Sequence, residues 1–550
     1  MATSLEFAIS RWKRTLLLAL AAVGTLTGIF VQPGSTSSVR EGGIFRVSFQ
    51  GISLQAFDHV DPALAYSRES WALLDTVCAR LMTYPDKPPP EGYRIVPEVA
   101  ADFPKVSPDG KTTTFKLRTG FRFSDGSPVR ASAFAQAINR TLAPGVNSPA
   151  FLYTQAIVGA DDVRAGKTRA AAGVTARGST LVVRFTREVR DFAAWTTMPF
   201  FCAVPPTLPP DAEGVRRFPG AGPYYITEYR PNERVIIRRN RHYGGKRVHH
   251  VDGFDVDLSA SSPQEVLDRI EAGKADWGYA LPAIHLEPGR ALISKYGINF
   301  SRFFVVRGLT LSLYVLNSSR PLFRDNPKLR RAVNFALNRT ELVLRGVEQA
   351  TDQYLPEDVQ GFKDHRIYPP QGDPRRAKAL AEGNLRGGKA VFYVPDFPQK
   401  LGTAQVLQQQ LAEIGLEVEI RKIAEYAAAA AYLGRLGNAD EPWDLAIVIW
   451  TPDFVDPSGY VNRLLDAQSA GGTNLARFDE GPFIDLMRRA ARRQGTARGS
   501  AYTMLDLQLG RDAAPLVPLA VLNEATLVSG RVGCMLLRPG LLLTRVCLKR

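Results

Sequence analysis

Apolar and polar positions fall into two regimes along the chain, with a change near residue 300. Before it, short alternating runs dominate. Residues 43–49 (GIFRVSF) alternate and predict a first strand. Residues 70–81 carry Trp71, Leu74, Val77 and Leu81 at helical spacing, the pattern of a core face. The proline-rich 86–91 (DKPPPE) predicts a turn into a subdomain. Residues 111–123 (KTTTFKLRTGFRF) alternate on both sides of Thr119-Gly120, which predicts a hairpin, and a helix follows over about 132–142. Further strands are expected at 180–185, on either side of Pro231-Asn232 within 220–240, and at 253–258. Residues 263–272 turn Val266, Leu267 and Ile270 inward as an amphipathic helix.

Beyond 300 the period changes. After a strand at 309–316 comes a helix or helix pair at 326–345, with Leu329, Val333, Ala336, Leu337 and Leu342 inward. Strands at 389–394, 416–423 and Leu445–Trp450 then alternate with helices at 399–414 and 425–436. Consecutive units of this kind build a parallel sheet, so this part of the chain is α/β. The run Leu445–Trp450 (LAIVIW) is unbroken and apolar, as a strand buried on both faces requires. Thr451-Pro452 ends it, because proline offers no amide to the ladder. Asp456-Pro457 makes a helix start, with Asp456 as its cap. Asp453 therefore lies just past the carboxyl end of a central strand, where open α/β sheets bind ligands. A carboxylate there, beside Trp450 and Phe454, suits a ligand that presents an amine or another donor. The alternative is a local Asx turn. Trp450 reads equally as a pocket wall or as core packing.

At 550 residues the chain exceeds a single core, so two or three domains are expected. Its 69 Lys and Arg against 54 Asp and Glu leave +15, which bears on solubility and anionic surfaces and not on fold. Arg11, Lys13 and Arg14 precede an apolar run at 16–31 and a polar spacer at 32–38. That is an export signal or, since no A-x-A site follows, an uncleaved amino-terminal anchor. Either places the body of the protein outside the cytoplasm, and the absence of cysteine before Cys78 argues against a lipoprotein anchor. The four cysteines (Cys78, Cys202, Cys534, Cys547) allow one or two disulfides, with Cys534 and Cys547 the nearer pair; buried free thiols are the alternative. No H-E-x-x-H or G-x-S-x-G motif occurs, and of the six histidines only His249 and His250 adjoin, without ligand spacing. No metal, cofactor or catalytic residue is expected. Residues 159–168 (GADDVRAGKT) have the wrong glycine spacing for a phosphate loop and read as a surface turn. The basic run at 234–250 alternates with Val235 and Ile237 and lacks aromatic platforms, which argues against nucleic-acid binding.

Four stretches, in order, resemble the family 5 extracellular solute-binding proteins of ABC transporters, the peptide-, dipeptide- and nickel-binding group. They are 115–134 (FKLRTGFRFSDGSPVRASAF), 220–244 (GAGPYYITEYRPNERVIIRRNRHYG), 322–342 (LFRDNPKLRRAVNFALNRTEL) and 450–460 (WTPDFVDPSGY). The last is similar to the family's "W..DY.DP..F", with Pro452 as a departure. The resemblance covers roughly residues 42–550. It implies a two-lobed periplasmic-binding-protein-like α/β fold with a hinge and a subdomain inserted in the first lobe. Lobe one would then comprise 42–72, 205–300 and 510–550, the inserted subdomain 73–204, and lobe two 301–509. It further implies a monomeric binding component, with no enzymatic activity, that captures a solute between the lobes and presents it to an ABC permease. An oligopeptide comes first among the solutes, its α-ammonium group paired with Asp453, and Trp450, Pro452 and Phe454 around it. A membrane-tethered sensor of the same fold and an exported hydrolase are the rival readings.

Overall fold

The computed structural model describes residues 39–50, 57–279, 289–344, 346–424 and 429–550. The expected export segment at 11–31 and the start of the helix expected at 425–436 lie outside them. Along the chain, strand β1 (Ile44–Gln50) leads to helix α1 (Arg68–Val77), capped by the Ser67 hydroxyl. Then come β2 (Thr112–Lys116), α2 (Ala131–Leu142) and β3 (Thr180–Arg184). β4 (Tyr224–Arg230), β5 (Arg234–Arg239) and β6 (Gly253–Ala260) follow. The long β7 (Phe303–Leu316) opens the second half. It continues through β8 (Lys389–Pro395), α3 (Pro398–Ala412), β9 (Glu417–Ile423) and β10 (Leu445–Trp450) to α4 (Gly495–Gln508) and β11 (Leu516–Leu527).

Three sheets carry these strands. In the first lobe, Trp277–Gly278, β1, β6, β5 and β4 form a five-stranded sheet in that order. β1 runs parallel to β6, and β4 and β5 close antiparallel around Asn232, whose positive φ of 59° makes the turn. Phe45, Val47, Phe254 and Val256 fill its core with Leu73, Leu74 and Val77 of α1. α1 stops at Val77, short of the expected 81, because Cys78 turns extended and forms a disulfide with Cys202. Leu81 is nonetheless buried, in the neighbouring core.

The inserted subdomain has a four-stranded sheet, in which β2 lies between Lys105–Val106 and β3, with Val174–Arg177 outermost. Here the hairpin expected over 111–123 is corrected. β2 pairs with β3 and with Lys105–Val106, so both its edges are taken. Phe121 and Phe123 are buried in the same core as Phe115, but through a local turn in which Arg122 bridges Pro128. Alternation reported burial there, and pairing went elsewhere.

In the second lobe the order is Glu348–Ala350, β11, β7, β10, β8, β9. The three expected strands are parallel neighbours, with β8 between β9 and β10. α3 covers them with Leu407 and Leu411. The helix pair is Pro327–Ala336 and Arg339–Leu342. β7 and β11 are long enough to serve two cores. Phe303, Val305, Ala525 and Leu527 pack with Val266 and Ile270 below the five-stranded sheet, whereas Leu311, Leu313, Leu516 and Val521 belong to the second lobe. Their pairing slips between Arg307 and Thr310. Gly308 sits in this slip, where a Cβ would lie 2.1 Å from the carbonyl oxygen of Leu522, so no larger residue fits. The stretch 510–550, expected wholly in the first lobe, is thus divided: β11 joins the second lobe's sheet, and Val532–Cys534 and Cys547–Lys549 return to the first.

Both disulfides form, Cys78–Cys202 and Cys534–Cys547, and no cysteine is free. One buried carboxyl is poorly matched to its site. Asp506 of α4 accepts the Tyr354 amide at 2.8 Å, its other oxygen has no partner, and burial pushes its pKa up to about 8. The folded protein thus keeps a proton that the unfolded chain releases from about pH 4 upward, so this group's contribution to stability falls as pH rises toward 8. Asp506→Asn is expected to raise stability at pH 8 by on the order of 5 kcal/mol, with the gain vanishing toward pH 4. Urea unfolding at the two pH values checks it; an equal effect at both would refute the protonation account.

Candidate functional site

β10 ends inside the molecule: Leu445 to Val448 are buried, while Ile449 is 39% exposed where the strand emerges. Thr451 and Pro452 carry the chain to Asp453, which faces the first lobe and the inserted subdomain. Its Oδ1 accepts the Tyr66 hydroxyl at 2.9 Å, and its Oδ2 accepts the Tyr153 hydroxyl. Tyr66 precedes α1, is held by its amide on Asp58 and stacks on Phe200. Tyr153 comes from a short helix of the subdomain. Burial, and then the charge of Asp453, push both phenols above their ordinary pKa, so both remain protonated donors. Arg463 lies 5.1 Å from the centre of the Tyr153 ring and acts in the opposite sense.

The other expected site residues divide. Pro452 and Asp453 line a cavity of about 270 Å³ between the lobes, with Arg68, Tyr84, Glu524 and Arg538 on other walls. Phe454 does not line it. Its ring is 3% exposed and packs in the subdomain core, 6.2 Å from the Tyr153 ring, so it fastens the loop across the seam. Trp450 also turns away: its indole N–H donates to the Gly459 carbonyl at 3.0 Å and its ring packs on the second lobe's core. Of its two readings, the packing one describes this geometry.

Asp456 caps as expected, accepting the Ser458 amide at 2.9 Å, but it does more. Arg498 of α4 donates to both its oxygens, at 3.1 and 2.6 Å, and to Asp191 of the subdomain at 2.7 Å. Burial alone would raise Asp456, but Arg498 holds it below the usual carboxylate range, while burial keeps Asp191 above it. Arg68 of α1 likewise spans the crossing strands, donating to Glu524 and Thr310, each at 3.0 Å. Sequence reasoning missed Tyr66, Tyr153, Arg68 and Arg498; no motif marks them.

Among the described residues no group of His, Cys, Asp and Glu could hold a metal. His249 faces the Arg247 carbonyl and His250 faces Glu41. The stretch at 159–168 is a short helix, Ala160–Arg164, and an exposed turn in which Lys167 pairs with Asp162. No helix of the described residues is long and apolar enough to cross a membrane. If Tyr66 and Tyr153 orient the carboxylate for a ligand, Tyr66→Phe should weaken binding of an amine ligand about tenfold, the value of one charge-assisted hydrogen bond, without a matching loss of stability. Titration calorimetry and thermal unfolding together check this.

Two α/β lobes joined by crossing strands, with a cavity between them lined by charged and aromatic side chains, define a binding protein of the hinged two-lobe class. The model of the bacterial extracellular solute-binding proteins, family 5, matches residues 94–472, and the chain belongs to that family. Among curated relatives it is 24% identical over 465 residues to the probable D,D-dipeptide-binding periplasmic protein DdpA of Escherichia coli K12, covering 78% of this chain and 80% of the relative. It is 23% identical over 425 residues to the oligopeptide-binding protein OppA of Bacillus subtilis 168, covering 70% and 72%. Among solved structures, the clavulanic acid biosynthesis oligopeptide binding protein 2 matches with a TM-score of 0.82 at 22% identity, covering 95% of this chain and 99% of that one. The Helicobacter pylori DppA in complex with the peptide STSA matches with a TM-score of 0.65 at 20% identity, covering 93% and 99%.

Proposed function

We propose that this protein captures a short peptide outside the cytoplasm, between its two lobes, and delivers it to an ABC permease without chemically altering it. One observation carries the reading: Asp453 presents a carboxylate to the interlobe cavity, oriented by hydroxyls from the opposite side. Such a group pairs with an α-ammonium in a closed, partly desolvated site, where a charge pair counts most. The relatives' names point the same way, one to D,D-dipeptides and another to oligopeptides. The first lobe comprises 42–77, because α1 packs whole on its sheet, with 205–300 and the tail from Val532; the inserted subdomain is 78–204, and the second lobe 301–509 with β11. The hinge is the slip between Arg307 and Thr310 together with the facing part of β11. Closure about it brings Tyr66 and Tyr153 onto Asp453.

Thermal unfolding with pooled di- to hexapeptides, sugars and metal chelates tests the reading. Peptides at 100 times their dissociation constant should stabilise the protein by roughly 2.7 kcal/mol. A shift with sugars or chelates and none with peptides would overturn it, and no shift with any pool would favour a sensor role.

A further inference from the structure

We propose that the seam between the inserted subdomain and the second lobe holds a second site, separate from the cavity at Asp453, for an amphiphilic anion with an aromatic body. A cavity of about 980 Å³ lies in this seam. Ile95, Phe103 and Val106 of the subdomain line one side, and Val359, Phe362 and Pro457 of the second lobe the other. It shares only Tyr93 and Val455 with the cavity at Asp453. Its volume is at the upper end of ordinary ligand sites, which are likewise walled by apolar and aromatic side chains. Phe103 remains 51% exposed, a large ring that the protein itself leaves uncovered.

Most charged groups on these walls have partners. Arg498 meets Asp191 at 2.7 Å and Asp456 at 2.6 Å, Arg190 and Arg492 each meet Glu188 at 2.8 Å, and Asp358 meets Arg307 at 3.5 Å. Arg94 of the subdomain and Arg493 of the second lobe are exposed and make no ion pair among the described residues. The uncompensated charge of the site is therefore positive. Tyr93, only 7% exposed, carries a buried hydroxyl without a hydrogen-bond partner, and burial keeps it a protonated donor. An unmade buried hydrogen bond is costly, so a ligand that brings an acceptor supplies what the protein lacks. Apolar walls, two free cations and a waiting donor together describe an aromatic sulfonate, carboxylate or phosphate. Both walls are fixed in advance, which costs such a ligand little ordering. The Tyr93 and Arg94 amides close a turn on the Pro90 and Glu91 carbonyls, each at 3.1 Å, and Arg538 pins that turn through the Pro85 and Gly92 carbonyls. Opposite, the Gln360 side chain donates to the Gly495 carbonyl at 2.7 Å. Gly361 has a φ of +95°, and a Cβ there would lie 2.8 Å from the Gly499 carbonyl oxygen, so this wall rests directly on α4.

The test titrates the full-length protein with 8-anilinonaphthalene-1-sulfonate, followed by fluorescence, and with N-phenyl-1-naphthylamine, the same aromatic body without the sulfonate. One equivalent of the sulfonate is expected to bind, roughly tenfold more tightly than the neutral analogue. Arg94→Gln together with Arg493→Gln should erase that difference, and Phe103→Glu should weaken both probes. Tyr93→Phe should weaken the sulfonate severalfold and leave the unliganded protein no less stable, because it removes a hydroxyl that has no partner. Pooled di- to hexapeptides should not displace the probe, since Phe103, Arg94 and Arg493 do not line the cavity at Asp453. These three side chains are exposed, so their variants should keep the native fold; should one fail, the sulfonate-to-neutral ratio on the wild type still decides. Equal binding of the two probes would overturn the anion preference. Several weak equivalents indifferent to every substitution, or displacement by peptides, would overturn the second site itself.

Discussion

Arg140→Met should lower the unfolding free energy by about 3–5 kcal/mol, the cost of leaving a buried carboxylate without its partner. Arg140, on α2 of the subdomain, is 2% exposed and meets Asp61, 1% exposed, through two bonds of 2.8 and 2.6 Å. Its Nε also donates to the Pro209 carbonyl at 3.0 Å. Asp61 in turn accepts the Ala63 and Val215 amides, each at 2.9 Å. The pair therefore joins the inserted subdomain to the loop ahead of α1, which positions Tyr66. Changing Asp61→Leu as well should recover only part of the loss, because two buried amides then lose their acceptor. Urea unfolding followed by circular dichroism reads the effect, and a loss under about 1 kcal/mol would show that the pair is not structural cement.

The second large effect concerns affinity. Asp453→Asn keeps an acceptor for one tyrosine hydroxyl and removes the charge, so peptide binding should fall by roughly 100-fold or more, about 3 kcal/mol. The melting temperature of the ligand-free protein should change little, since Asp453 is only half-buried. Calorimetric titration separates the two quantities. Unaltered affinity in a folded variant would remove Asp453 from the site and leave it as a fastening between Tyr66 and Tyr153.

Much of the fold was legible because its cause is local. The βαβαβ run, the strand Leu445–Trp450 and the loop that follows it come from apolar runs and breakers within a few residues. The hairpin at 111–123 failed for the same reason: alternation records which side chains are buried and says nothing of which backbone pairs with β2, and its partner β3 lies more than sixty residues away. The partners of Asp453 were out of reach in the same sense, since Tyr66 and Tyr153 are 387 and 300 residues from it. Asp456 was readable as a cap through Pro457, yet its ion pair with Arg498 belongs to tertiary packing. The Cys534–Cys547 pair was suggested by its nearness, whereas Cys78–Cys202 closes across the whole subdomain and no spacing rule reaches that far.

Capture between the lobes is tested most directly by amide hydrogen exchange with and without a saturating peptide. A ligand in the cavity touches both sides and stabilises their contact, so exchange should slow together in residues 64–75 of the first lobe and 451–459 of the second. Protection confined to one of these segments, or to neither while binding is saturated, would contradict the account.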